Sequence, residues 1–207
     1  MTLRPTATLA LAAVTAAAYF IITLGGWTEQ AALGLGFMPA RLSLEAPWPA
    51  LPVWLTPLSA TLVHGGFLHL ALNLLLLVWC GREVERILGP GPLLLLYVAG
   101  AYAAAAGQYV VEPMAQVPMV GASGAISALI GAFALSFSRP KPLVRSFRLN
   151  RMLNTLWILA AWIVLQWMSA YLMGMQGVLV ATGAHVGGFL AGIVLQKPLL
   201  LWRYRQA

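Results

Sequence analysis

Six apolar stretches, each close to the length needed to cross a lipid bilayer, constrain this chain more than any motif in it. A membrane-spanning helix needs about 20 mostly apolar residues. Stretches near 7–25, 58–80, 92–111, 122–138, 152–173 and 181–202 meet that need or approach it. Only 8% of the residues are charged, against 61% apolar, and the mean hydropathy is +0.85. Soluble domains carry about 25% charged residues. With so few charges, most of the surface must face lipid, and the expected fold is an all-α, polytopic membrane bundle of six helices in a single domain, residues 1–207. The first stretch follows Arg4 as a signal peptide would, but its apolar run continues through Tyr19-Phe20-Ile21-Ile22, longer than a usual signal core.

The net charge of +7 raises the possibility of a nucleic-acid partner, and the positions of the charges argue against it. Basic residues favour the cytoplasmic ends of spans. Arg4 precedes the first span, Arg82 and Arg86 follow the second, and Arg139, Lys141, Arg145, Arg148 and Arg151 join the fourth to the fifth. Lys197, Arg203 and Arg205 complete the set, so that with six spans 11 of the 12 basic residues share one side and only Arg41 lies opposite. Both termini are therefore expected in the cytoplasm. The basic charge reads as a topology signal, and no nucleic-acid partner is expected.

The long outer loop 26–57 holds Trp27, Trp48 and Trp54 with five prolines. Trp favours the membrane interface, so the loop is read as interfacial, with an ordinary connector as the alternative.

Chemistry must come from a short list of groups. The chain has no aspartate, and its acids are Glu29, Glu45, Glu83, Glu85 and Glu112. Its single cysteine, Cys80, excludes a disulfide, and no cofactor is indicated. Polar side chains inside spans are costly and so default to functional candidates. His64, His69, His185, Asn73 and Ser123 are such groups.

Ser123 stands in Gly121-Ala122-Ser123-Gly124, where the fourth span begins. A helix start offers free backbone N–H groups that can bind a developing oxyanion. Serine is also common in membrane helices for packing alone. His185 opens the sixth span, which enters from the same side, so the two lie at similar depth. Gly188 and Gly192 form one small-residue face, and Gly124 and Ala128 form another. Such faces allow the close approach that a Ser–His hydrogen bond of about 2.6–3.2 Å requires. A neutral histidine there can take the serine proton; the bland alternative is a packing histidine bonded to a carbonyl. His69 and Asn73, four residues apart, share a face of the second span and could donate to an oxyanion. His64, His69 and His185 could together hold a metal, but no carboxylate at that depth completes the set, and none is expected.

Together these residues resemble the rhomboid intramembrane proteases. The resemblance covers spans two to six and rests on His69…Asn73, Gly121-Ala122-Ser123-Gly124 and Ala184-His185-Val186-Gly187-Gly188…Gly192, in that order. His64 matches a further histidine five residues before the oxyanion histidine, and Glu85-Arg86 with Gly89 looks like the family's short turn after span two. The resemblance implies Ser123 as nucleophile and His185 as general base, without a third acid. It implies His69, Asn73 and the Ser123 N–H as oxyanion donors, with Gly121 and Ala122 shaping the hole through their backbone. It further implies single-span membrane-protein substrates, a site opening to the outer side, and lateral entry gated by span five and loop 174–181. The compact chain fits a bacterial inner membrane, with an organellar membrane as the alternative. Two positions depart from the pattern: Leu55-Thr56 replaces a Trp-Arg pair, and Ser127 replaces a tyrosine that stacks on the histidine. A catalytically silent relative that binds membrane clients is a second reading. A small transporter is a third, weakened by the lack of a repeat and of any Lys, Arg or Glu clearly within a span. The oligomeric state is left open.

Overall fold

The computed structural model describes residues 6–44, 47–137, 144–174 and 181–206. Arg4, Glu45, Arg139, Lys141 and residues 175–180 of the proposed gate lie outside them. The described residues form eight α-helices and no strand, with one isolated antiparallel bridge between Phe37 and Met119. The helices are α1 (Thr6–Leu24), α2 (Thr28–Leu35), α3 (Thr56–Ser59), α4 (Phe67–Leu88), α5 (Pro90–Val111), α6 (Ser123–Phe137), α7 (Phe147–Gly174) and α8 (Thr182–Arg203).

Four of them, α1, α4, α5 and α8, are long and apolar enough to cross a membrane. Helix α6 has 15 residues, about 22 Å at 1.5 Å per residue. Helix α7 runs for 28 residues. Large apolar side chains such as Leu75, Trp79, Val110, Trp157 and Val194 point outward. In water such a surface would aggregate, whereas in lipid it is solvated; this is an integral membrane protein.

The second apolar stretch differs from its expected bounds of 58–80. Residues 56–62 form α3 and a 3-10 turn, the chain breaks at Gly65-Gly66, and α4 begins only at Phe67. Gly66 has extended backbone, φ 172°, where a helix would need about −63°. At its other end α4 continues past Cys80 to Leu88, so Glu85 and Arg86 are helical and the turn consists of Gly89 alone, at φ 89°.

This extension places Glu85 in a helix rather than in a turn. Glu85 is 2% exposed and caps α1 from the side. Its carboxylate accepts from the backbone N–H groups of Ala7 (3.0 Å) and Thr8 (2.8 Å) and from the Thr8 hydroxyl (2.6 Å). Helix N-termini leave such donors free, and their partial positive charge favours a carboxylate. Arg203, at the end of α8, donates to the last-turn carbonyls of Glu85 and Arg86. The start of α1 and the ends of α4 and α8 thus meet at one end of the bundle.

At the other end, α8 wedges between α5 and α6. A Cβ on Gly187 would collide with the Ala103 carbonyl of α5, and one on Gly188 or Gly192 with the Gly124 or Ala128 carbonyl of α6. Only glycine permits backbone contact this close. Helix α4 packs on α6 around Leu77, Leu129 and Ala132, and α7 rests mainly on α8.

The loop 26–57 is folded rather than a plain connector. Arg41 Nη2 donates to the Leu51 carbonyl (2.7 Å), Trp48 Nε1 to that of Leu33 (3.2 Å), and Ser59 Oγ to that of Leu35 (2.7 Å). The Phe37–Met119 bridge ties it to the segment leading into α6. At the Leu55-Thr56 position, Thr56 is buried and its hydroxyl bonds the Val53 carbonyl at 2.7 Å. The loop is held mainly by main-chain carbonyls.

Candidate active site

Ser123 is the first residue of α6. The residues before it set its position: Gly121 N–H bonds the Ala60 carbonyl at 2.9 Å, and Gly121 adopts φ +109°, a conformation that L side chains rarely take. That conformation also leaves room for His69, whose ring would lie 2.7 Å from a Cβ at this position. The turn therefore delivers the serine to a helix start and brings His69 against the strand of chain leading to it.

His185 lies one turn into α8, and its Nε2 is 2.8 Å from Ser123 Oγ. The two residues are 62 positions apart in sequence and share no helix. They meet because Gly188 and Gly192 let α8 approach Gly124 and Ala128 so closely. A serine hydroxyl at this distance from an imidazole nitrogen can lose its proton as the oxygen attacks a carbonyl.

Asn73 is buried on α4, one turn beyond His69. Its Nδ2 bonds the His69 carbonyl at 2.8 Å, leaving its second N–H uncommitted, and its Oδ1 is buried without a partner. His64 sits before α4, 2% exposed, with neither ring nitrogen hydrogen-bonded, and its ring meets that of His69 edge-on at 5.0 Å. His64, His69 and Asn73 form one cluster, and Ser123 and His185 form another, with Gly121 between His69 and the serine. Ala122 is fully buried. Among the described residues no group of three or more His, Cys, Asp or Glu has a metal-binding arrangement.

Ser127 turns its hydroxyl back onto the Ser123 carbonyl at 2.8 Å, so no ring from α6 covers His185. Its neighbours come from α7 instead. Gln166 Oε1 is 2.6 Å from His185 Nδ1. Trp162 Nε1 donates to the His185 carbonyl at 3.3 Å, and its ring stacks on Phe189 at 4.8 Å and 9°. Neither residue was among those picked out from the sequence. A signal for Gln166 existed: it is an amide inside an apolar run, and intramembrane polar residues default to functional candidates.

A model of the Rhomboid domain matches residues 52–202, which contain every residue of both clusters together with Gln166 and exclude α1 and α2. The chain is 30% identical over 148 residues to the rhomboid protease GluP of Bacillus subtilis (strain 168), covering 71% of this chain and 28% of that protein. RHOMBOID-like protein 5 of Arabidopsis thaliana is 31% identical over 145 residues (70% of this chain, 43% of the relative). The rhomboid protease GlpG of Enterobacter sp. (strain 638) is 29% identical over 161 residues, with 75% of this chain and 53% of the relative covered. The chain thus spans from about a quarter to about half the length of these curated relatives. On the family match, this chain belongs to the rhomboid family.

Proposed function

We propose that the protein is an intramembrane serine endopeptidase that hydrolyses a peptide bond in or near a transmembrane segment of single-span membrane proteins. The observation that carries this reading is the 2.8 Å separation of His185 Nε2 from Ser123 Oγ at the start of a short helix.

In this reading Ser123 Oγ attacks the scissile carbonyl carbon while its proton passes to His185 Nε2. The oxygen of the tetrahedral intermediate accepts hydrogen bonds from Asn73 Nδ2, from His69 and from the Ser123 backbone N–H. Collapse breaks the C–N bond, and the leaving amine takes the proton from His185. A water molecule, deprotonated by the same nitrogen, then attacks the acyl-serine and releases the second product. Oxyanion donors of this kind act most strongly where water is scarce.

The proposal includes six spans within a single domain, residues 1–207, with α6 and α7 as the fourth and fifth. It also includes cytoplasmic termini, a site open to the outer side and a bacterial inner membrane. The meeting of the start of α1 with the ends of α4 and α8, the meeting of the starts of α6 and α8, and the distribution of basic residues support that topology. A substrate helix must unwind before its carbonyl can be attacked, so segments with Gly or Pro are preferred.

The test is cleavage of a single-span reporter by purified protein in detergent, comparing wild type with Ser123→Ala and His185→Ala. Wild-type cleavage with both variants inactive and folded is expected. Retained cleavage by Ser123→Ala removes the assignment.

A further inference from the structure

Gln166 lies on α7, where Leu165, Trp167 and Met168 around it face outward. Gln166 itself is 6% exposed. A buried amide in an apolar setting is costly unless its polar atoms are bonded. Here its Oε1 reaches His185 Nδ1 at 2.6 Å. An amide oxygen only accepts, so with Oε1 turned to the ring this contact is a hydrogen bond only when Nδ1 carries a proton. Nε2 then presents its lone pair to Ser123 Oγ at 2.8 Å, the form a general base needs.

One turn earlier on the same face of α7, Trp162 holds the main chain of the same residue through its 3.3 Å bond to the His185 carbonyl. Its stacking on Phe189 fixes the next turn of α8. Helix α7 therefore engages His185 at two points, the ring and the backbone. Ser127, bonded to its own helix, supplies neither.

We propose that Gln166 is the positioning residue of the dyad: it accepts the Nδ1–H of His185 and fixes both the ring's orientation and its tautomer. This rests on the reading of Ser123 and His185 as the reacting pair. A neutral acceptor performs the task without adding a charge to the membrane interior, where charge is expensive.

The test uses the full chain in detergent and measures kcat and KM on the reporter for wild type, Gln166→Met, Gln166→Glu, Ser123→Ala and His185→Ala. Met keeps the length of Gln but loses the amide acceptor, whereas Glu keeps an oxygen at the same reach. Removing an acceptor that orients a histidine costs about 10–100-fold where this has been measured in metal sites. A kcat loss of that order is expected for Gln166→Met, with KM unchanged and much of the loss recovered in Gln166→Glu. Nitrogen-15 spectra of His185 are expected to show the proton on Nδ1 in wild type and mixed tautomers in Gln166→Met. Wild-type kcat in Gln166→Met, with Ser123→Ala and His185→Ala inactive, overturns the positioning role and leaves the dyad intact. Equal loss in the Met and Glu variants, or a wild-type proton on Nε2, also overturns it. Cleavage by Ser123→Ala removes the dyad and this proposal with it.

Discussion

Gly188 of α8 lies against the carbonyl oxygen of Gly124 on α6, with no room for a side chain between them. Ser123 precedes that carbonyl by one residue, and His185 lies three residues before Gly188, so the packing contact and the Ser–His contact belong to the same turn of each helix. The interhelical distance that packing sets is the distance the proposed Ser123–His185 chemistry would use.

A methyl group at Gly188 should therefore separate two effects. The Gly124 carbonyl is backbone and cannot rotate aside, so Gly188→Ala must move α8. Overpacking of this kind costs about 1–3 kcal/mol, readable as a lower unfolding temperature in detergent. Reporter cleavage should fall further than the folded fraction does, because the Ser123–His185 distance grows. Val194→Ala, on the outward face of the same helix, is the control, and both readouts should match wild type.

Gly121→Ala tests the turn that presents the serine. Its φ of +109° is unfavourable for alanine, and the new Cβ would lie 2.7 Å from the His69 ring. Such backbone strain costs about 1–3 kcal/mol, and His69 has to move as well. Loss of kcat with the protein still folded, measured on the reporter beside a thermal melt, is the expected outcome. Wild-type kcat would show that the His69–Gly121 contact has no catalytic consequence.

Asn73→Ala is expected to lower activity without loss of stability. Removing one oxyanion donor costs about 10²–10³ in kcat. In the resting protein, however, Asn73 Oδ1 is buried without a partner and Nδ2 bonds only the carbonyl of its own helix. An unsatisfied buried group is a cost that alanine removes. The variant should melt no lower than wild type while its kcat drops and its KM holds. A lower melting temperature with unchanged kcat would make Asn73 a packing residue.

Much of this architecture is legible in the sequence, because apolar length alone decides where a helix can cross lipid. Five of the six expected stretches fall within a few residues of α1, α5, α6, α7 and α8, with the start of α7 extended by a turn. The second stretch misled because apolar content continues through residues 58–63 although the backbone cannot: Gly65-Gly66 interrupts the helix, and hydropathy does not register a dihedral angle. The resemblance alone puts Glu85 in a short turn after the second span. The free N–H groups of α1, 77 residues earlier in the chain, stabilise it inside the bundle. Such a partner is invisible without the tertiary arrangement. Gln166 went unremarked for a related reason: glutamine is a common helix residue, and only the proximity of α7 to His185 gives it significance.

Glu85 yields the clearest prediction about stability in isolation from activity. Its carboxylate is the partner of two backbone N–H groups and of the hydroxyl of Thr8, which is fully buried. Glu85→Ala would leave those donors without a partner away from water, and each buried unsatisfied group costs about 1–3 kcal/mol. Glu85→Gln keeps an acceptor oxygen but loses the charge that the helix N-terminus favours, so it should fall between alanine and wild type. Thr8→Ala removes a single bond and should cost about 1 kcal/mol. Because Thr8 and Glu85 bond each other, the double variant should lose less than the two single variants combined. Thermal unfolding of wild type and the four variants in one detergent measures this directly. Cleavage per folded molecule should stay at the wild-type level throughout, since Glu85 lies at the end of α4 remote from His69 and Asn73. A Glu85→Ala protein that melts like wild type would mean that this carboxylate does not hold α1 to α4.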